Sequence, residues 1–183
     1  MLSYSVDALA ESLGSVYSVL VYGIGILAVL LSVSAYQFKH RTSIIVCASL
    51  GQVCWVVYFV LQGDLVSAIV CGFSAIVLAL LSKKDQWKWA AHPIALALYI
   101  GFFVVFSLLS FRVWNDIFPL IAGVFLVIAN SQSSEKKLRR FALIYGMSWL
   151  LNSVTKMYLV ALICDVFSVV SNIVSMIRYR NEH

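Results

Sequence analysis

Proline occurs only twice in this chain of 183 residues, at Pro93 and Pro119, and charged side chains make up 11% of it. So little charge cannot keep a globular surface in water, and so few prolines leave long helices uninterrupted. The four cysteines, Cys47, Cys54, Cys71 and Cys164, all lie in hydrophobic runs, with no CxxC pair and no histidine at metal-ligand spacing. They read as small buried residues rather than as disulfides or metal ligands, and no cofactor is expected. HExxH, GxSxG, a phosphate loop and a paired Ser and Lys within the membrane are all missing, so the chain is not read as an enzyme. A retinal pigment is excluded too, because the last apolar run has no lysine in its middle; Lys156 stands at its outer end. The residues before the first hydrophobic run include Asp7 and Glu11 but no Lys or Arg, which argues for a retained helix and against a cleaved signal peptide.

What is present is apolar surface. Hydrophobic residues make up 62% of the chain and the mean hydropathy is +0.96, the composition of an integral membrane protein with the bilayer as its first partner. Runs of roughly 18 to 24 apolar residues separated by short polar breaks predict helices, not the ~10-residue alternating strands of an outer-membrane barrel. Seven are expected: Val16–Gln37, Thr42–Leu61, Leu65–Leu81, Pro93–Phe111, Ile117–Asn130, Leu138–Ser153 and Met157–Ile177. The last two come from one long run that must turn, and Asn152-Ser153-Val154-Thr155-Lys156 is its only polar cluster. If the N-terminus is outside, the breaks after the first, third, fifth and seventh helices are cytoplasmic and hold eleven of the thirteen Lys and Arg, leaving only Arg112 and Lys156 outside. That bias predicts an N-out, C-in protein of the inner membrane, and it accounts for the net charge of +5 without a nucleic-acid partner.

The chain also repeats itself. The first three and last three helices share lengths and break character, with Gln37 and Gln132 each near the end of a first helix before a basic turn. Gln52 and Trp55 match Trp149 and Asn152 at an offset of 97, and Ser67, Cys71 and Ser74 match Cys164, Ser168 and Ser171 at the same offset. The fold class expected is therefore all-α, with two parallel three-helix repeats joined by a linker helix in a 3+1+3 order. Its parts are an outer lead at 1–15, a first repeat at 16–82, a basic loop and linker helix at 83–112, a second repeat at 113–180 and a cytoplasmic tail at 181–183.

This arrangement, with a glutamine ending the first helix of each unit, resembles the SWEET / PQ-loop superfamily. The stretches YGIGILAVLLSVSAYQFKHR, QVCWVVYFVLQGDLVSAI and NIVSMIRYR are most similar to the YgjV-like bacterial inner-membrane proteins. The resemblance implies two three-helix units around a central pathway and, for the wider superfamily, passive movement of sugars or other small solutes. It lends no particular substrate. Tyr36 and Ser131 stand where the superfamily's proline would be, so hinges built on that proline are not carried over.

The candidate site centres on the last helix. Cys164, Asp165, Ser168, Ser171, Asn172 and Ser175 fall within an arc of about 120° at 100° per residue, and Asp165 is near the midpoint of the run. An acid inside a membrane usually faces a bundle interior or water and marks a solute or proton path. The plain alternative is a protonated structural carboxyl bonded to Asn152, Ser168 or Trp149, on a stripe whose small residues serve close packing. Asp165 and Asn172 are expected to orient a small polar solute in a cavity between the repeats. Asn152, Gln52, Ser168 and Cys71 would add polar contacts, and Trp55 and Trp149 would form its walls. Asn152, Asn172 and Gln52 could equally tie helices together, and the two tryptophans could equally be core. Movement would be proton-linked if Asp165 changes protonation. The rival is a receptor-like or interaction protein that transports nothing, and self-association into a homo-oligomer is left open. His40 and His92 are expected at the membrane surface, and Trp87, Trp89 and Trp114 as interfacial anchors.

Overall fold

The computed structural model describes residues 11–35, 41–83, 86–132 and 134–178, and within these the side chains of 33–35, 41–49, Glu135, Ser175 and Arg178 are not part of the description. The outer lead up to residue 10, Tyr36, Gln37 and His40, the 181–183 tail, and the side chains of Cys47 and Ser175 thus lie outside the described residues. The described residues from Ser15 to Arg178 form seven α-helices: α1 Ser15–Ala35, α2 Arg41–Leu61, α3 Leu65–Ser82, α4 Pro93–Ser110, α5 Ile117–Ser131, α6 Glu135–Thr155 and α7 Leu159–Arg178. Short 3-10 turns at Lys88–Ala91 and Trp114–Asp116 precede α4 and α5. The chain divides into two compact units, Met1–Ala79 and Leu80–His183, so the helix read from sequence as a linker folds with the last three.

In the first unit, α1 and α2 run antiparallel, with the Tyr17 hydroxyl donating to the Leu61 carbonyl. Gly51 lets the two backbones close in, since a Cβ there would lie 3.2 Å from the Ser32 hydroxyl. The Trp55 indole donates to that hydroxyl at 3.2 Å, and Ser32 in turn donates to the Ala28 carbonyl at 2.8 Å. Asp64 caps α3: its carboxylate accepts from the Ser67 amide at 3.1 Å and from the Ser67 hydroxyl at 2.6 Å, filling donors that the first helical turn leaves open.

In the second unit, Lys83 lies 4.8 Å from the ring centre of Trp87, which stacks on Trp89 at 5.9 Å. His92, expected only at the membrane surface, caps α4 by accepting from the Ile94 amide at 3.4 Å, with Pro93 in the first turn where its missing N–H is harmless. α4 packs on α5 through Gly123, where an added Cβ would come within 2.4 Å of the Phe103 ring. The carbonyls at the end of α5 are satisfied by side chains: Asn130 donates to Leu126 at 2.9 Å, Ser131 to Ile128 at 2.8 Å and Gln132 to Ile128 at 3.0 Å. α6 meets α7 at Gly146, where a Cβ would lie 3.2 Å from a Val169 methyl.

The α2–α3 and α6–α7 turns share one hydrogen-bond pattern. In the first, Gln62, Gly63 and Asp64 donate to Tyr58, Val60 and Phe59; in the second, Lys156, Met157 and Tyr158 donate to Asn152, Val154 and Ser153. Each is a helix ending closed by a left-handed residue, Gly63 at φ 72° and Met157 at φ 57°. Matching turns therefore stand 94 positions apart, and at that spacing Trp55 falls on Trp149 and Cys71 on Asp165. The sequence offset of 97, which pairs small polar residues with each other, differs from the spacing of these turns by three positions.

Among the described residues, four segments are long and apolar enough to cross a membrane: Ser15–Ser32, Leu65–Ser82, Pro93–Ser110 and Trp114–Ser131. Leu50–Leu61 and Leu159–Val174 are shorter apolar stretches. α6 opens with Glu135, Lys136, Lys137, Arg139 and Arg140, so its apolar part begins only at Phe141 and spans about 21 Å against a core of about 30 Å.

Candidate functional site

The α6–α7 hairpin assembles most of the residues singled out from the sequence. The expected helix Leu138–Ser153 runs two residues further, to Thr155, and the chain turns at Lys156, Met157 and Tyr158. Trp149, Asn152 and Ser153 consequently lie inside α6, all buried, on one face. Asp165 is half-buried, and its carboxylate accepts from the Ser153 hydroxyl at 2.6 Å. Ser153 is the partner that the sequence reading missed. Its only signal was membership of the polar cluster, at the end of the expected helix Leu138–Ser153.

Asn172 is also half-buried, and its amide donates to the Arg139 backbone carbonyl at 3.3 Å. That bond ties the early part of α6 to the later part of α7. The polar arc is not hidden as a whole, however. Cys164 is buried, whereas Ser168 and Ser171 are exposed. The arc therefore divides into groups that bond α6 and groups that face outward next to Asp165.

Gln52, Trp55 and Cys71 belong to the first unit. Trp55 is buried, meets Tyr58 edge-on at 5.5 Å and stacks near Phe59 at 5.8 Å, which makes it part of an aromatic cluster on α2. Cys71 is buried and Gln52 half-buried.

Beside the hairpin turn is an ion pair that sequence reasoning did not find. The Lys156 ammonium lies 2.7 Å from one Asp116 carboxylate oxygen, with side-chain exposures of 9% and 4%. The other oxygen accepts from the Arg112 amide at 2.8 Å and from the Val113 amide at 3.1 Å. One carboxylate thus closes the 3-10 turn before α5 and anchors the end of α6. The sequence reading put both residues in breaks on one side of the membrane but did not pair them.

Apolar helices of spanning length, two of them capped by Asp64 and His92, describe a multi-pass membrane protein whose exposed surface carries residues such as Val19, Leu30, Leu98, Leu109 and Phe167. The class is that of an integral membrane protein in contact with the lipid bilayer. The chain belongs to the Imp-YgjV family of bacterial inner membrane proteins, which it matches over residues 19–183. No curated protein and no solved structure matches it.

Proposed function

We propose that this protein moves a small polar solute, such as a sugar or another metabolite, across the inner membrane as a SWEET-like facilitator or proton-linked transporter. In this reading its helices form seven spans in the 3+1+3 order of the SWEET / PQ-loop superfamily, with the N-terminus outside and the C-terminus cytoplasmic. The observation that carries the reading is Asp165, a carboxyl within an apolar helix, half-buried, and flanked by the exposed Ser168. Packing of α7 on α6 needs small residues and does not need an acid, so the cost of keeping a carboxyl there points to work on a solute or a proton. No chemical conversion is proposed, only passage.

Solutes are identified by screening small metabolites for thermal stabilisation of the purified protein, since a ligand of the folded state raises its apparent stability. Uptake of the best of them into proteoliposomes then tests the site. Asp165→Asn is expected to abolish uptake or uncouple it from protons while the protein folds to near-normal levels. Full uptake by that variant removes Asp165 from the mechanism.

One pair of observations favours a second reading. Asp165 bonds Ser153 and Asn172 bonds the Arg139 carbonyl, so both polar groups also serve as ties between α6 and α7. A receptor-like membrane protein that transports nothing would need them for that alone, since architecture does not dictate role. Such a protein gives no solute flux above that of empty liposomes.

A further inference from the structure

The outward face of α6 carries two kinds of side chain in one line. Lys136, Arg140, Ile144, Met147, Leu151 and Val154 follow one another at spacings of three and four, the repeat that keeps residues on one helical face. All six are exposed, the apolar four by 40%, 40%, 43% and 47%, while Trp149 and Ser153 on the other side of the helix are buried. From Arg140 to Val154 the line is about 21 Å long, more than the ~15 Å that one leaflet contributes to the hydrocarbon core. The cations stand at one end of an apolar track, not scattered over a solvated surface. Long basic side chains at that depth extend to the phosphate level while their stems cover hydrocarbon.

We propose that this stripe is a binding site for an anionic phospholipid, with the phosphate held by Lys136 and Arg140 and an acyl chain lying along Ile144, Met147, Leu151 and Val154. Charge complementarity selects the occupant: a zwitterionic lipid satisfies the apolar track but brings its own cation to the two basic groups, whereas phosphatidylglycerol brings none. The site lies on the face of α6 away from Ser153 and is independent of whether the protein transports.

The test uses the full chain in nanodiscs of phosphatidylcholine alone and of phosphatidylcholine mixed with phosphatidylglycerol. The anionic lipid is expected to raise the midpoint of thermal unfolding by about 3 °C. Raising the salt concentration should shrink that rise, because the contact is at the membrane surface. The double variant K136Q/R140Q is expected to lose most of the rise while unfolding normally in phosphatidylcholine, and K88Q, in the 3-10 turn before α4, to keep it. Soluble glycerol phosphate is expected to give no rise, since it offers nothing to the apolar track. The proposal is overturned by an equal midpoint in both lipids, by a rise that survives K136Q/R140Q, or by a rise that glycerol phosphate reproduces. If the double variant fails to fold, Ile144→Gln with Met147→Gln provides the second arm: loss of the rise supports the site and its retention overturns it.

Discussion

Asp165 and Ser153 share one short hydrogen bond, and the two side chains are separable by substitution because an asparagine amide oxygen accepts from a hydroxyl as a carboxylate does. Asp165→Asn should therefore keep the α6–α7 tie and change stability little, whereas Ser153→Ala removes the donor and should cost about 1 kcal/mol. Equal stability loss in both variants, measured by thermal unfolding, would assign the carboxyl to structure alone. The Asp116–Lys156 pair behaves differently because both groups are buried. Lys156→Met strands the carboxylate and should cost about 3 kcal/mol, and adding Asp116→Asn should restore part of that, since the neutral amide oxygen still accepts from Arg112 and Val113. Simple addition of the two losses would mean that the charges are not coupled. At this scale the sequence is a poor guide to partners. It placed Asp116 and Lys156 on the same side of the membrane, but which acid reaches which base depends on helix neighbours and on the rotation of each helix.

The helices themselves were far more legible than their contacts. Expected and observed limits agree to within a residue or so for α2, α3, α4 and α5, because apolar runs end where charged or capping residues begin, as at Asp64 and Pro93. The failure was the turn between α6 and α7. A left-handed residue closes it, and that residue is Met157, not the glycine or asparagine that announces such a turn, so the polar cluster just before it attracted the prediction. The chain turns at Lys156–Tyr158, and across that turn the Ser153 hydroxyl donates to Asp165. Met157 is exposed and holds φ 57°, so Met157→Gly should leave packing intact and raise stability by up to about 1 kcal/mol; a loss would show that the side chain contributes more than its backbone costs. Gly123 is the opposite case. Its missing Cβ is occupied by the buried Phe103 ring, and Gly123→Ala should destabilise the second unit by about 1–3 kcal/mol, with Phe103→Leu in the same chain recovering part of the loss.

For the whole molecule, composition alone established a membrane protein, and the family match places it in the bacterial inner membrane. Among the described residues, four helices meet the length and apolarity of a span without help. α6 falls short for a reason visible in its residues, since it spends its first turns on charges. In the proposed seven-span arrangement, basic side chains reaching the headgroups would lengthen α6. Reporters fused to each end should therefore read outside at the N-terminus and cytoplasmic at the C-terminus; both ends on one side would mean an even number of spans. The α2–α3 and α6–α7 turns close in the same way, 94 positions apart.

The measurement closest to the proposed function asks whether water reaches the exposed side chain one turn beyond Asp165. With Cys47, Cys54, Cys71 and Cys164 replaced by alanine, Ser168→Cys introduces one thiol, to be challenged in sealed membrane vesicles with a charged, membrane-impermeant thiol reagent. A solute path predicts labelling in the intact membrane that slows when a stabilising metabolite is present. A thiol that stays unmodified until detergent dissolves the bilayer would place this face of α7 in lipid and contradict the transport account.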